Sequence, residues 1–298
     1  MTANHSAEKL ASKITVIIPC KNEVKNIVAC IRSARLIAGE VIVADSGSSD
    51  GTLAIAEELA DRVIEREYID SGDFKNWSIP QATYSWVFIL DADERITDEL
   101  AKEIRSTIER NANETRPLLA YSVPRRNFFL GHPIDHGDWA SDRVTRLFSR
   151  DDCRYKLHTD HSEIVVPNKR EGRLTSKLTH YTAWDLGVYL EKTHHYARQQ
   201  AKLWQQQGRR PELHHLILNA PMRFLRGYVL KMGWRDGMIG FFIACLTAYY
   251  SFVKQFYFWQ LCHGRSLDEF ESNQATACLL YTSPSPRDLS TSRMPSSA

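Results

Sequence analysis

Two carboxylates separated by a single small residue, Asp91-Ala92-Asp93, follow directly on the apolar run Trp86-Val87-Phe88-Ile89-Leu90. A short unbroken apolar run of this kind reads as a strand buried on both faces, so the two acids stand where a buried strand ends. Anions this close raise each other's pKa unless a cation or a basic group sits between them. Carboxylate, water and phosphate oxygens are the ligands that Mg2+ and Mn2+ take, so the pair is a candidate divalent-cation site. A second strand, Val41-Ile42-Val43-Ala44, also runs out into an acid and a turn, Asp45-Ser46-Gly47-Ser48-Ser49-Asp50-Gly51-Thr52. Two acid-tipped strands side by side suit a pocket for a nucleotide diphosphate.

Such acids need a scaffold that brings several strand ends to one edge. Ile14-Thr15-Val16-Ile17-Ile18 reads as the first buried strand, with Pro19 expected to end it. Apolar residues recur at helical spacing from Val24 to Ile37, Gly39 closes that segment and the strand at Val41 follows, which makes a βαβ unit. A helix over residues 52–60, a strand at Arg62-Val63-Ile64-Glu65 and a helix over 76–82 lead into the strand that carries Asp91. Strands alternating with short helices predict an α/β fold with a mostly parallel sheet covered by helices on both faces, and ligands then bind beyond the carboxyl ends of the strands.

After a helix over 99–111 the alternation stops. Residues 120–166 carry short strand-like pieces, histidines and charges, and read as a mixed half closing over the pocket. Residues 184–207 read as a polar helix and 221–262 as helical, aromatic and partly basic. No charged residue lies between Asp236 and Lys254. That run falls short of the roughly 20 residues a spanning helix needs. With Arg223, Arg226, Lys231 and Arg235 nearby, it predicts either an interfacial helix pair or a helix packed on the catalytic domain. The expected organisation is a polar tail over 1–13, a catalytic domain over 14–183 with halves 14–112 and 113–183, and a helical extension over 184–270. Residues 271–298 form a tail whose Ser/Pro/Thr/Arg-rich end is expected to be disordered and resembles translated adapter or vector sequence, which would leave the natural C-terminus missing.

The ordered motifs resemble the family-2 glycosyltransferases with the GT-A fold, the Rossmann-like nucleotide-diphospho-sugar transferase architecture. Val16-Ile17-Ile18-Pro19-Cys20-Lys21-Asn22-Glu23 is similar to that family's opening strand and N-E turn, and Asp45 to Thr52 to its D-x-G-S-x-D-G-T turn. Phe74-Lys75-Asn76 resembles the basic-Asn step and Leu90-Asp91-Ala92-Asp93-Glu94 the D-x-D. Together with Arg146-Leu147-Phe148, these motifs are similar to the lipopolysaccharide-core glucosyltransferase branch.

The resemblance implies an inverting transfer of a hexose, glucose foremost, from a UDP-sugar to a lipid-linked or cell-envelope saccharide, with Mg2+ or Mn2+ as cofactor. It makes Asp93 the direct metal ligand and Asp91 a ribose or outer contact. Pro19 and Glu23 frame the turn under the nucleotide. Asp45 meets the uracil or ribose, or else is only a turn former. Lys75 reaches the base or a phosphate, or else is solvated. Ser48, Ser49 and Asp50 are expected to cap the helix at Thr52. An inverting transfer needs a carboxylate to take the acceptor's proton. Asp142, just before Arg143 and the Arg-Leu-Phe step, and Glu163, in a His-x-Glu step with one residue more than the branch pattern, are the candidates. The alternative for either is an ion pair with Arg143 or Arg146.

His132/His136 and His158/His161 have spacings that can converge on zinc, but no helical signature supports such a site, and sugar hydrogen bonding or ordinary packing is the competing reading. His194-His195 and His214-His215 read as solvated. The nearest string to the processive Q-x-x-R-W, Gln200-Ala201-Lys202-Leu203-Trp204, lacks the arginine, so one sugar per encounter is expected. Two rival classes remain, a sugar-nucleotide pyrophosphorylase and a non-catalytic nucleotide-sugar binding module. The first lacks its glycine-rich basic loop at residues 19–23, and the second has no need of both an intact D-x-D and candidate bases.

With 38 Lys and Arg against 36 Asp and Glu, the composition gives no reason to expect nucleic acid as partner. Six scattered cysteines without C-x-x-C pairs argue against a disulfide framework or a cysteine zinc site. The polar residues 1–13 lack a secretory apolar stretch, which predicts a cytoplasmic protein, peripheral on the inner face of the plasma membrane if residues 221–262 meet lipid.

Overall fold

The computed structural model describes residues 13–157 and 163–264. The chain opens β1 (Ile14–Cys20), α1 (Ile27–Ala34), β2 (Glu40–Asp45), α2 (Thr52–Leu59), β3 (Arg62–Glu65), α3 (Ser71–Ser78) and β4 (Trp86–Ile89). A two-residue strand β5 (Glu94–Arg95) and α4 (Asp98–Ala112) close this half. The second half holds β6 (Ala120–Phe129), β7 (His132–Ile134), β8 (Arg143–Ser149), β9 (Arg154–Tyr155), β10 (Ile164–Val165), β11 (Glu171–Arg173) and β12 (Leu178–Ala183). Then come α5 (Leu186–Gln206), α6 (Leu213–Leu225) and α7 (Gly237–His263).

The main sheet runs β3-β2-β1-β4-β8-β6-β12-β5. Its first four strands are parallel, and β8 enters antiparallel between β4 and β6. Along β1 the side chains alternate between two cores. Ile14, Val16 and Ile18 join Ile27 and Ile31 of α1 and Leu100 and Ile104 of α4 on one face. Ile17 joins Ile42, Phe74, Val87 and Phe148 on the other. Both faces are therefore covered, which is why the strands read as continuous apolar runs.

Pro19 does not end β1 as expected. The strand continues beside β2 as far as Cys20↔Asp45, whereas its register with β4 stops at Ile17↔Ile89. Leu90 N–H still donates to Ile17 O at 3.0 Å, and the next bond in a parallel ladder would come from the amide of residue 19, which proline lacks. β4 is thus released from the sheet just where Asp91 begins. The helix expected over 76–82 instead starts at Ser71, because Asp70 caps it by accepting from Asp73 N–H at 2.8 Å, and a 3-10 turn carries the chain from Ile79 through Pro80.

Beyond the sheet, α5 and α7 pack against each other through Trp204 and Phe258, while Ile243 of α7 sits with Phe129 and Ile134 of the sheet. A π-helical turn at residues 226–230 follows α6, and Met232 adopts a left-handed φ of 57°. At the crossing that follows, a Cβ on Gly240 would meet Gly233 O at 1.8 Å, so only glycine admits this approach.

Candidate functional site

Asp91 sits at the freed end of β4 in a tight turn, its carbonyl accepting from Glu94 N–H at 2.8 Å. Its carboxylate is bonded by the Arg146 guanidinium and faces Lys75 Nζ at 3.6 Å. Arg146 also donates to Glu94 at 2.6 Å, Arg125 pairs with Glu94 at 3.3 Å, and Arg125 Nε donates to Asp142 at 2.7 Å. Lys75, Asp91, Arg146, Glu94, Arg125 and Asp142 thus form one continuous chain of alternating charge. Glu94 is fully buried and Arg146 nearly so.

Burial alone would raise the Asp91 pKa, but Arg146 and then Lys75 overcome it and hold the carboxyl well below its ordinary range. Burial likewise works against the charge on Arg146, yet Asp91 and Glu94 raise its pKa well above the usual value. Burial pushes the Lys75 ammonium down, with Asp91 opposing, and its head lies 5.2 Å from the Tyr155 ring. The basic groups needed to keep an acid ionised at this position are therefore supplied by the protein itself.

Asp93 takes a different environment. Its carbonyl accepts from Tyr181 N–H at 2.9 Å, and its carboxylate faces His180 Nε2 at 3.6 Å. The other ring nitrogen of His180 lies 2.6 Å from Asn127 Oδ1, and Asn127 Nδ2 donates to Trp139 O at 2.8 Å. With the amide oriented this way, Nδ1 carries the proton and Nε2 is free to act as a ligand toward Asp93. Two ligand atoms each about 2.1 Å from one ion stand roughly 3 to 4 Å apart, so this pair fits a divalent cation. Asp91, turned to its cations, does not converge with them.

The loops around these acids hold the other expected residues. Asp45 Oδ2 accepts from the amides of Gly47 and Ser48, both at 2.8 Å, while Ser48 Oγ donates to Oδ1 at 2.5 Å. The carboxylate is buried and shapes its own turn. Of the three residues expected to cap the helix at Thr52, only Asp50 reaches it, accepting from Thr52 N–H at 3.1 Å, and Gly51 stands at the N-cap; Ser48 Oγ instead accepts from Asn22 N–H at 2.9 Å and Asp50 also from Val24 N–H at 3.1 Å, tying this turn to the one after β1. Asn22 itself accepts from Ser49 N–H at 2.8 Å. Glu23 caps the start of α1 through its backbone carbonyl and bonds Asn26 at 2.8 Å, and burial lifts its pKa. Pro19 lies in the strand beneath.

Asp142 pairs with Arg125 rather than with Arg143 or Arg146; Arg143 bonds the carbonyls of Ser122 and Leu174 instead. Glu163 is largely exposed and pairs with Lys156 at 2.6 Å on the small β9–β10 hairpin, separate from the charge chain. His136 bonds Asp236 at 2.6 Å, His132 is exposed on β7, and His158 and His161 lie outside the described residues. Among the described residues a three-member ligand group occurs only at exposed Glu212, His214 and His215, away from these acids.

Sequence reasoning passed over His180, Arg125 and Asn127. It also missed Tyr196 of α5, whose pKa is raised by burial first and then by the charges of Asp91 and Asp93. Leu178-Thr179-His180-Tyr181 carries no clean apolar–polar alternation, so nothing in the local pattern marked this histidine.

Residues 15–134, from β1 through β7, match the model of glycosyl transferase family 2. Over these residues the chain is similar to the family-2 glycosyltransferases. The matched stretch holds the two acid-tipped strands and Asn127; Asp142, Arg146 and His180 lie past it. The lipopolysaccharide core biosynthesis glycosyltransferase LpsC of Rhizobium meliloti (strain 1021) is 29% identical over 246 residues, covering 80% of this chain and 89% of LpsC. An uncharacterized glycosyltransferase of Rickettsia bellii (strain RML369-C) is 26% identical over 256 residues, covering 83% of this chain and 86% of that one.

Among solved structures, S. aureus TarS 1-349 in complex with UDP-GlcNAc is 14% identical with a TM-score of 0.44, covering 86% of this chain and 93% of that chain. Glucosyl-3-phosphoglycerate synthase from Mycobacterium tuberculosis, in complex with Mn2+, UDP and glucosyl-3-phosphoglycerate, is 18% identical with a TM-score of 0.40, covering 67% and 82%. The protein has the expected GT-A α/β fold with a C-terminal helical region, and the match is to a glycosyl transferase model rather than to a pyrophosphorylase.

Proposed function

We propose that the protein is a metal-dependent inverting hexosyltransferase that moves glucose from UDP-glucose to a lipid-linked saccharide, such as a lipopolysaccharide core, at the inner face of the plasma membrane. The observation that carries the reading is the division of labour at the end of β4. Asp91 is locked by Arg146 and Lys75, while Asp93 stands opposite an oriented His180 nitrogen. Mg2+ or Mn2+ held by Asp93 and His180 would neutralise charge on the departing diphosphate.

The chain's own residues do the rest. The cross-tied turns at residues 20–24 and 45–52, over Pro19 and Glu23, receive the nucleoside, with Asp45 fixing the turn's shape. The exposed part of the Asp91 carboxylate offers an acceptor to ribose hydroxyls, and Arg146 with Lys75 keeps it ionised. Asp142, oriented by Arg125 and Asn127, takes the proton from the acceptor hydroxyl as that oxygen attacks the anomeric carbon. Its place on the charge chain favours it over Glu163. The likeness to LpsC supports the acceptor class.

Asp142→Asn tests the assignment. UDP release from UDP-glucose with Mn2+ and an envelope saccharide acceptor should be lost, while the thermal shift given by the donor stays. Normal turnover in this variant overturns Asp142 as the base.

A further inference from the structure

We infer that the hairpin of α6 and α7 docks on an anionic lipid bilayer, with its tip at residues 230–238 set among the headgroups. The inference deepens the reading of a lipid-linked acceptor by naming the surface that would bring the enzyme to it. At the tip Leu230 is 77% exposed, Met238 69% and Trp234 54%. Along α7, Phe242, Tyr249, Phe252, Phe256 and Trp259 recur at helical spacing and are all exposed. Beside them an open groove of about 420 Å³ runs between Phe224 and Phe252. Apolar surface this extensive and contiguous marks an interaction face.

Its geometry decides between lying on a membrane and crossing one. Residues 233–263 are long and apolar enough to cross by length and composition. The inward face of α7, however, is covered at both ends, Ile243 by Phe129 and Ile134 of the sheet and Phe258 by Trp204 of α5. Fifteen residues of helix correspond to roughly 22 Å, so over that length one side of α7 is covered by its own chain and the other is presented to the bilayer, which suits lying on it rather than threading it.

Charge selects the occupant. Residues 209–264 hold seven Lys and Arg against Glu212 and Asp236, while the whole chain carries only +2. A surface so basic repels a second copy of itself and attracts acidic headgroups. Arg223 and Arg226 approach Asp138 only at 3.7 and 3.5 Å and are about half exposed, so most of their N–H groups face solvent.

The same cluster ties the surface to the acceptor side of the site. Lys231 Nζ lies 2.8 Å from Asp138 and 3.3 Å from Ser141 Oγ, and Gly137 N–H donates to Lys231 O at 3.0 Å. The segment so held leads straight into Asp142. Docking would therefore turn the proposed base toward the headgroup plane, where a lipid-linked saccharide is found.

The test is flotation of the full chain with vesicles of phosphatidylcholine, alone or mixed with phosphatidylglycerol, beside light scattering without lipid. The wild type should float with the anionic vesicles and remain monomeric. Leu230→Ser/Trp234→Ser/Met238→Ser should lower vesicle partitioning at least about tenfold, since each side chain is removed from an apolar environment. Arg223→Gln/Arg235→Gln should lower it about fivefold for each charge and weaken its salt dependence. Wild type that stays unbound, serine substitutions without effect, or a dimer that they disperse would each overturn the inference. The thermal shift with UDP-glucose, read on the same samples, separates the outcomes: a retained shift without flotation removes the docking surface and leaves the transferase reading standing.

Discussion

Arg146→Met would remove the cation bonded to both Asp91 and Glu94. Taking one partner from a buried ion pair costs about 3 to 5 kcal/mol, because the remaining charge is stranded. Here Arg125 stays 3.3 Å from Glu94 and Lys75 3.6 Å from Asp91, so the loss should fall near the lower end, about 3 kcal/mol. Urea unfolding followed by tryptophan fluorescence measures it, and the melting temperature should drop by about 6 to 12 °C.

The pH dependence gives a second readout. In the native protein the Asp91 pKa lies below its ordinary 3.8, so its stabilising contribution is full above that pH and fades only as the pH falls through the lower folded value. In the variant, burial and the neighbouring Glu94 carboxylate should raise the folded pKa of Asp91 above its unfolded one. Its contribution would then be present below its ordinary 3.8 and lost as the pH rises through the raised value. The gap between wild type and variant should widen from pH 5 to pH 8, and adding Glu94→Gln should recover part of it. A loss under about 1 kcal/mol with an unchanged pH profile would refute the idea that this arginine holds the acids in place.

Two further outcomes follow from the geometry. His180→Ala should weaken Mn2+ binding at least about tenfold, read from the paramagnetic signal of free ion without any substrate; unchanged affinity would remove His180 from the metal site. Gly240→Ala should cost about 1 to 3 kcal/mol in urea unfolding, since its methyl would collide with Gly233 O at 1.8 Å, and a neutral effect would mean the crossing yields readily.

The parallel half of the fold was legible because β1, β2 and β4 are apolar on both faces, and the edge strand β3 follows from the same alternation with helices. The acids at residues 45, 91 and 93 could be found the same way. What linear spacing could not provide was register across non-consecutive strands. Arg146 reaches Asp91 because Phe88↔Leu147 and Val87↔Phe148 align β4 with β8, a pairing between segments far apart in the chain. The partner of Asp142 was sought among its neighbours Arg143 and Arg146, whereas the sheet delivers Arg125 from β6. Pro19 was read as a stop, but a proline interrupts only the ladder that needs its missing donor, and β2 does not. The hairpin's two alternatives were open in the composition; the structure packs one face of α7 and leaves Phe242, Phe252, Phe256 and Trp259 exposed on the other.

His180 is aligned with Asn127 on one side and Glu94 on the other. Because neighbouring strand residues point to opposite faces, losing a single residue between Leu174 and Thr179 would exchange this imidazole for the Thr179 or Tyr181 side chain. The chemistry of this half is thus indexed by count as much as by identity. Variation in substrate choice can accumulate in the segment from Leu130 to Ser141 without disturbing that index, whereas the short stretch leading into β12 has to keep its length even where its residues drift.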